Sequence, residues 1–320
     1  MRDYAIRRLI LIIPTMLLAS TMIFGLMRYL PGDVAQIIIA QIKAGAEYSE
    51  EELNELRGKL GLNKPIHIQY GEFIGGLFKG DLGTSLWTKQ PVVNEMIHRF
   101  PVSVQLISMA VVMGWIMGVG VGVISALKQD TRLDYLGRSF AIAGLSVPSF
   151  WVGILIIVLP ALWFRWTPLQ QFVYLTEDPV RNLEIMILPA LILAINLGAP
   201  VMRLSRTTLL EVLRQDYIRT AYAKGLVERV VIGRHAIRNA LIPVVTVMGL
   251  QIISGLSGTV ILESLFGIPG MGRLLVSEAL AKRDYPMIQA INVLVAFIVV
   301  IVNLLVDLSY GFLDPRVRYR

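Results

Sequence analysis

Six stretches of this chain, Leu9–Leu30, Pro101–Leu127, Ser139–Phe164, Ile185–Met202, Ala240–Leu262 and Tyr285–Val306, are apolar and carry one charge among them, Arg28. A bilayer core about 30 Å thick is crossed by roughly 20 helical residues. A backbone amide in that core finds no water, so each run must satisfy its amides within itself, as a helix does. The pattern predicts an all-α membrane protein with six transmembrane helices. Arg28 lies near enough to the end of its run to snorkel toward the interface. The fourth run is short, and its helix is expected to continue past the hydrocarbon toward Arg203 and Arg206. With 55% hydrophobic and 17% charged residues, the chain does not read as a soluble globular domain.

An even number of spans puts both chain ends on one side, and the Lys and Arg residues near the span ends indicate which. One set of segments holds Arg2, Arg7 and Arg8; Lys128, Arg132 and Arg138; a dense group from Arg203 to Arg238; and Arg316, Arg318 and Arg320. The opposite short loops hold Arg165, Arg181, Arg273, Lys282 and Arg283. Both termini are therefore expected in the cytoplasm. The net charge of +7 is read as loop orientation, not as a nucleic-acid surface. The basic start resembles a secretory signal, but its apolar run exceeds a signal core of roughly 7–15 residues and no convincing cleavage site follows. It reads as a retained signal anchor.

The expected domains are the cytoplasmic N-terminus with the first helix (1–30), an extracytoplasmic subdomain between the first two spans (31–100), and a five-helix core (101–320). In the subdomain, Pro31-Gly32-Asp33 reads as a turn. Ser49 with Glu52 reads as a capping box, opening a helix with Leu53, Leu56 and Leu60 on one stripe and Gly61 at its end. About 70 residues make a marginal core, so this region is expected to lean on span ends. Glycines inside the spans (Gly114, Gly118, Gly120, Gly122, Gly255, Gly258) read as places where helices approach closely. Asp307, near the end of the last span, reads as an end-of-helix residue.

Reactive chemistry is not indicated. The chain has no cysteine, and its three histidines (His67, His98, His235) are scattered, so no metal site is predicted. There is no GxxxxGK[ST] phosphate loop, and Gly255-Leu256-Ser257-Gly258 is not GxSxG. No catalytic residue is expected, and any ATP would be hydrolysed by another chain.

The segment 211–243, EVLRQDYIRTAYAKGLVERVVIGRHAIRNALIP, is a charged interruption between two apolar runs. Leu209, Leu213, Tyr217 and Ala221 recur at near-helical spacing before Gly225. Val227, Val230, Val231, Ile237 and Leu241 do so after it. Glycine tolerates left-handed backbone angles and can turn one helix into another. Pro243 is expected to open the next helix. The result is a bent two-helix bracket on the cytoplasmic face. Attraction to anionic lipid alone, at about 1 kcal/mol per basic residue, is the plainer reading of such a loop.

Arg219, Thr220, Ala221, Tyr222, Ala223, Lys224 and Gly225, followed by Ile242 and Pro243, resemble the coupling-loop motif of binding-protein-dependent ABC transporter permeases. More narrowly, DYIRTAYAKGL followed by RHAIRNALIPVVT resembles the dipeptide/oligopeptide/nickel permeases. Arg219 and Lys224 stand where the general motif often has acidic residues, in keeping with the peptide branch. The likeness covers nearly the whole chain: Leu30-Pro31-Gly32-Asp33, Leu60-Gly61-Leu62, Gly80-Asp81-Leu82-Gly83, Ser146-Val147-Pro148-Ser149-Phe150, Glu263 with Phe266-Gly267-Ile268-Pro269-Gly270-Met271-Gly272, Arg283-Asp284-Tyr285-Pro286, and Asp314-Pro315-Arg316.

The resemblance implies a multi-pass permease subunit of the bacterial or archaeal inner membrane, forming half of a pathway for di- or oligopeptides. Nickel, glutathione or oligosaccharide is the alternative cargo within the same family. Implied partners are a second homologous permease, two ATP-binding cassette ATPases that bind ATP and Mg, an extracytoplasmic substrate-binding protein, and membrane lipid. Tyr217 and Arg219 to Gly225 would sit at the ATPase contact, within a coupling loop spanning 203–243. The Pro- and Gly-rich FGIPGMG run must be buried or line a cavity if it lies at membrane depth. It is expected to re-enter the bundle and shape an outer gate, with Phe266, Pro269, Gly270 and Gly272 as candidates; a plain surface turn is the other reading. An ion-coupled secondary transporter remains a further alternative, weakened by the lack of an intramembrane acid in the other spans.

Overall fold

The computed structural model describes residues 2–29, 33–42, 47–168 and 171–313. The Pro31-Gly32 half of the expected turn, the closing Asp314-Pro315-Arg316 and the side chain of Asp307 lie outside the described residues. The described chain is helical: α1 (Arg2–Tyr29), α2 (Val34–Ile42), α3 (Glu50–Lys59), α4 (Ile66–Lys79), α5 (Val92–Leu127), α6 (Arg132–Ser146), α7 (Ser149–Phe164), α8 (Pro179–Leu213), α9 (Asp216–Ala223), α10 (Glu228–Leu265) and α11 (Tyr285–Leu313).

The third apolar run is not one helix. α6 and α7 meet at 97°, so five helices are long and apolar enough to cross a membrane, and six only if the bent pair counts as one span. The break is local chemistry. Proline bars the residue before it from helical angles, and Val147 ahead of Pro148 is extended at φ −97, ψ 121. The fourth run behaves as expected, since α8 continues through Arg203 and Arg206 to Leu213.

Pro243, expected to open a helix, lies inside one. α10 begins at Glu228 and passes through a π-helical stretch, Val231–Ile237, before reaching it. A proline in a helix interior costs about 3 kcal/mol in isolation. Here Val231, Ala236, Ala240 and Val244 are buried on both sides of it, so packing keeps the chain helical where local preference would end it.

The chain divides into two compact units. The first comprises Phe100–Arg273 with the two chain ends. Its centre is α8, which contributes Met186, Ala190, Leu193 and Leu197 to a core shared with Leu106 and Ala110 of α5 and Leu262 of α10. Apolar burial drives little association in lipid, so close approach has to supply van der Waals contact. The helices achieve it through glycine. A Cβ built at Gly114 would lie 2.8 Å from the Ala194 carbonyl oxygen, and one at Gly118 would lie 2.7 Å from that of Gly198. A Cβ at Gly258 of α10 would meet the Leu193 side chain at 2.6 Å and one at Gly255 that of Leu197 at 3.4 Å, so the glycines around Ser257 serve packing. Gly120, by contrast, faces open space.

The second unit comprises Ile6–Arg99 and Leu274–Ile298. The capping box is present: Ser49 accepts from the Glu52 amide, and the Glu52 side chain accepts from the Ser49 amide. Leu53 is buried with Ala35 and Ile39 of α2, and Leu56 and Leu60 pack beside them. α4 lies against α1 through Phe24, Tyr70 and Phe73. Arg28, in the last turn of α1, joins this contact. Its guanidinium donates to Gln69 and sits 5.3 Å from the Phe24 ring centre, so an amide acceptor and an aromatic face hold the charge. Asp284 accepts from the Ser85 hydroxyl and the Leu86 amide, tying the loop after α4 to the start of α11.

Candidate functional site

The bracket is built as two helices around one glycine. α9 ends in a paired arrangement: the Gly225 amide donates to the Tyr222 carbonyl at 2.9 Å, and the Leu226 amide to that of Ala221 at 3.3 Å. This Schellman geometry needs a left-handed residue, and Gly225 supplies it at φ +77. The helix following it starts at Glu228.

The stripe Leu209, Leu213, Tyr217, Ala221 is not continuous. α8 stops at Leu213, and Gln215 is extended before α9 begins. Nine residues of unbroken helix would set Ile218 about 13 Å along the axis from Leu209. The break lets both enter one cluster with Ala126, Ala221, Val231, Ala236 and Ala240. Ala221 thus faces its own chain, while Tyr217, Arg219, Thr220, Tyr222, Ala223, Lys224 and Gly225 are exposed. The Tyr217 hydroxyl also accepts from Asn239 of α10 at 3.1 Å, bracing the two arms. Arg219 reaches Asp216 at 3.4 Å, but both are so exposed that the pair contributes little.

Beneath the bracket lies a charged joint that the sequence reading passed over. Asp134 of α6 is fully buried. It takes two bonds of 2.7 Å from Arg206 of α8, another from Ser125 of α5, and a fourth from the Asp130 amide at 3.0 Å. One carboxylate therefore joins three helices, beside the Ala126 that packs under α9. Nothing in sequence pairs residues 72 positions apart; the available signal was an arginine on the part of α8 expected to run past the hydrocarbon.

The FGIPGMG run is no surface turn. Phe266, Ile268, Gly270, Met271 and Gly272 are buried, with Pro269 half-buried between them. Its centre is Glu263, also fully buried, which sequence placed in a motif without a role. The Glu263 carboxylate accepts from the Ser103 hydroxyl at 2.6 Å, the Gly272 amide at 2.7 Å and the Arg273 amide at 3.1 Å. The Ser103 oxygen accepts in turn from the Met271 amide at 2.8 Å. Gly270 and Gly272 are obligatory there, since a Cβ on either would meet that carboxylate or the α10 backbone at Val260.

Residues 118–319 match the family model of the binding-protein-dependent transport system inner membrane component, and residues 1–107 match that of the N-terminal region of such membrane components. The chain is 37% identical to the di/tripeptide transport system permease protein DppB of Pseudomonas aeruginosa, with 100% of each chain covered. It is 38% identical to the dipeptide transport system permease protein DppB of Alkalihalophilus pseudofirmus, again with 100% of each covered. The dipeptide transport system permease protein DppB of Escherichia coli K12 is 37% identical at the same coverage. A crystal structure of an amino acid ABC transporter with histidines shares the fold, with a TM-score of 0.53 at 15% identity, over 68% of this chain and 94% of the other.

Proposed function

The chain belongs to the family of binding-protein-dependent transport system inner membrane components, and on that premise we propose that it forms half of a translocation pathway for di- or oligopeptides, driven by ATP hydrolysis on partner subunits. It is a multi-pass inner-membrane protein. The names of these three relatives, dipeptide or di/tripeptide permeases, support the cargo class.

The observation that carries the mechanism is the anchoring of α9. Ile218 and Ala221 hold it to the body of the chain, while Tyr217, Arg219, Thr220, Tyr222, Ala223 and Lys224 face away. A short helix fixed on one side and presented on the other suits a contact that must pass displacement to α8 and α10. In this reading the segment 203–243 and both termini are cytoplasmic, residues 31–100 are extracytoplasmic, and 101–320 form the core. Two ATP-binding cassette ATPases, which bind ATP and Mg, dock on α9. A second homologous permease completes the pathway, and an extracytoplasmic binding protein delivers peptide. The chain itself is non-catalytic. Closure of the ATPases moves the bracket, and the loop carrying Phe266, Pro269, Gly270 and Gly272 gates the outer side.

The test is reconstitution of the chain with its permease partner, ATPases and binding protein in liposomes loaded with Mg-ATP. Labelled dipeptide should accumulate only when ATP is present. Uptake by this chain alone under an ion gradient would overturn the reading, as would labelling of residues 211–243 from outside intact cells.

A further inference from the structure

We propose that Glu263 is a positioning residue: its carboxylate, through Ser103, fixes the loop Phe266–Gly272 to α5, so that loop, α5 and the end of α10 move as one body. The alternative is a loop that swings alone as a lid. The proposal rests on the gate reading above and specifies how that gate can move.

Three donors converge on one buried carboxylate, and they come from two parts of the assembly that would have to separate in a lid. Ser103 belongs to α5, while the amides of Gly272 and Arg273 belong to the short turn closing the loop. Ser103 relays the tie by accepting from the Met271 amide. From the other side the Arg273 guanidinium donates to the Gly267 carbonyl at 2.6 Å, closing the loop on itself. Phe266 and Ile268 enter the same core as Val102 and Leu106 of α5. Apolar contacts of that kind can slide past one another. Hydrogen bonds cannot, because they weaken steeply once distance or angle departs from a narrow range. The carboxylate therefore sets the register of the loop, and Gly270 and Gly272 are small to let it reach.

This chain has no cysteine, so any thiol it carries in the reconstituted complex is an introduced one. Glu263→Ala and Ser103→Ala, which remove three and two of these hydrogen bonds, should each raise ATP hydrolysed per dipeptide imported by about tenfold or more, since one lost buried hydrogen bond is already on that scale. Ser103→Thr, which keeps the hydroxyl, should restore the ratio. A complex carrying Ser103→Cys and Met271→Cys should import at least as well oxidised as reduced, since the disulfide ties the loop to α5 in place of the lost hydroxyl. An unchanged ratio in both alanine variants overturns the proposal. So does import lost on oxidation and regained on reduction, which would mean the loop must part from α5. Should the wild-type complex import no dipeptide, the importer reading fails, and maleimide labelling of Ile268→Cys still decides this one. That buried position should label in the Ser103→Ala background and not with Ser103 in place; equal labelling in both overturns the proposal.

Discussion

Gly225 has open space where a Cβ would stand, yet its φ of +77 excludes most residues. A substitution there is opposed by backbone strain alone, roughly 1–3 kcal/mol for a β-branched residue. Uptake should therefore fall in the order Gly225→Asn, Gly225→Ala, Gly225→Val, because asparagine tolerates the left-handed region best. The Val variant should still insert and keep its ATPases bound, while hydrolysis proceeds without import; assaying both activities on one preparation checks this. Gly198 obeys the opposite rule. A Cβ there would fall 2.6 Å from the Gly114 carbonyl oxygen, and neither helix backbone can yield. Gly198→Ala should destabilise the fold by about 1–3 kcal/mol or more. Gly120→Ala, facing open space, should leave the thermal midpoint in detergent unchanged. The two glycines look alike in sequence. Gly225 was legible because a turn is a local need, whereas Gly198 is defined by a neighbour on another helix.

At the scale of elements, the joint of α5, α6 and α8 is held by the Asp134–Arg206 pair. Removing one partner of a buried pair strands the other charge, at roughly 3–5 kcal/mol, while replacing both with apolar residues is often neutral. Asp134→Leu alone should lower the thermal midpoint in detergent and loosen α9. Asp134→Leu with Arg206→Met should recover most of the stability. Limited proteolysis within 214–226 provides the local readout: cleavage should be fast in the single variant and slow in the double. The anchoring of α9 explains why that loop reports on the joint, since Ala126 at the end of α5 lies in the cluster that holds Ile218. Sequence foresaw two helices flanking Gly225. It did not foresee the break at Gln215, because Leu209 and Tyr217 suit a helical stripe equally well whether or not the chain is interrupted between them.

For the whole molecule, the proposed docking face is basic: Arg219, Lys224, Arg229 and Arg234 are all exposed on or beside the bracket. Charges of this kind act on encounter and partner choice more than on final affinity, and salt screens them within about 10 Å at 0.1 M. Lys224→Glu combined with Arg229→Glu should slow association with the ATPases several-fold at low salt. The difference from wild type should vanish near 1 M salt, where the screening length is about 3 Å. A deficit that persisted there would point to a misfolded bracket instead of a lost field.

The helical membrane class, the extension of α8 past its apolar run, the capping box at Ser49 and the turn at Gly225 follow from short-range rules: amides in lipid must pair locally, and a few residue types punctuate the backbone. Those rules operate within a few turns of chain and can be read along it. The fate of each proline, by contrast, depended on its surroundings. Pro148 stands where α6 and α7 part at 97°, while Pro243 is carried through because buried residues hold the turns on either side of it. The meeting of Glu263 with Ser103, 160 residues away, and of Asp134 with Arg206 likewise came only from tertiary packing. A buried carboxylate is tolerated only where donors converge on it, and no stretch of linear sequence states which distant helix will bring them.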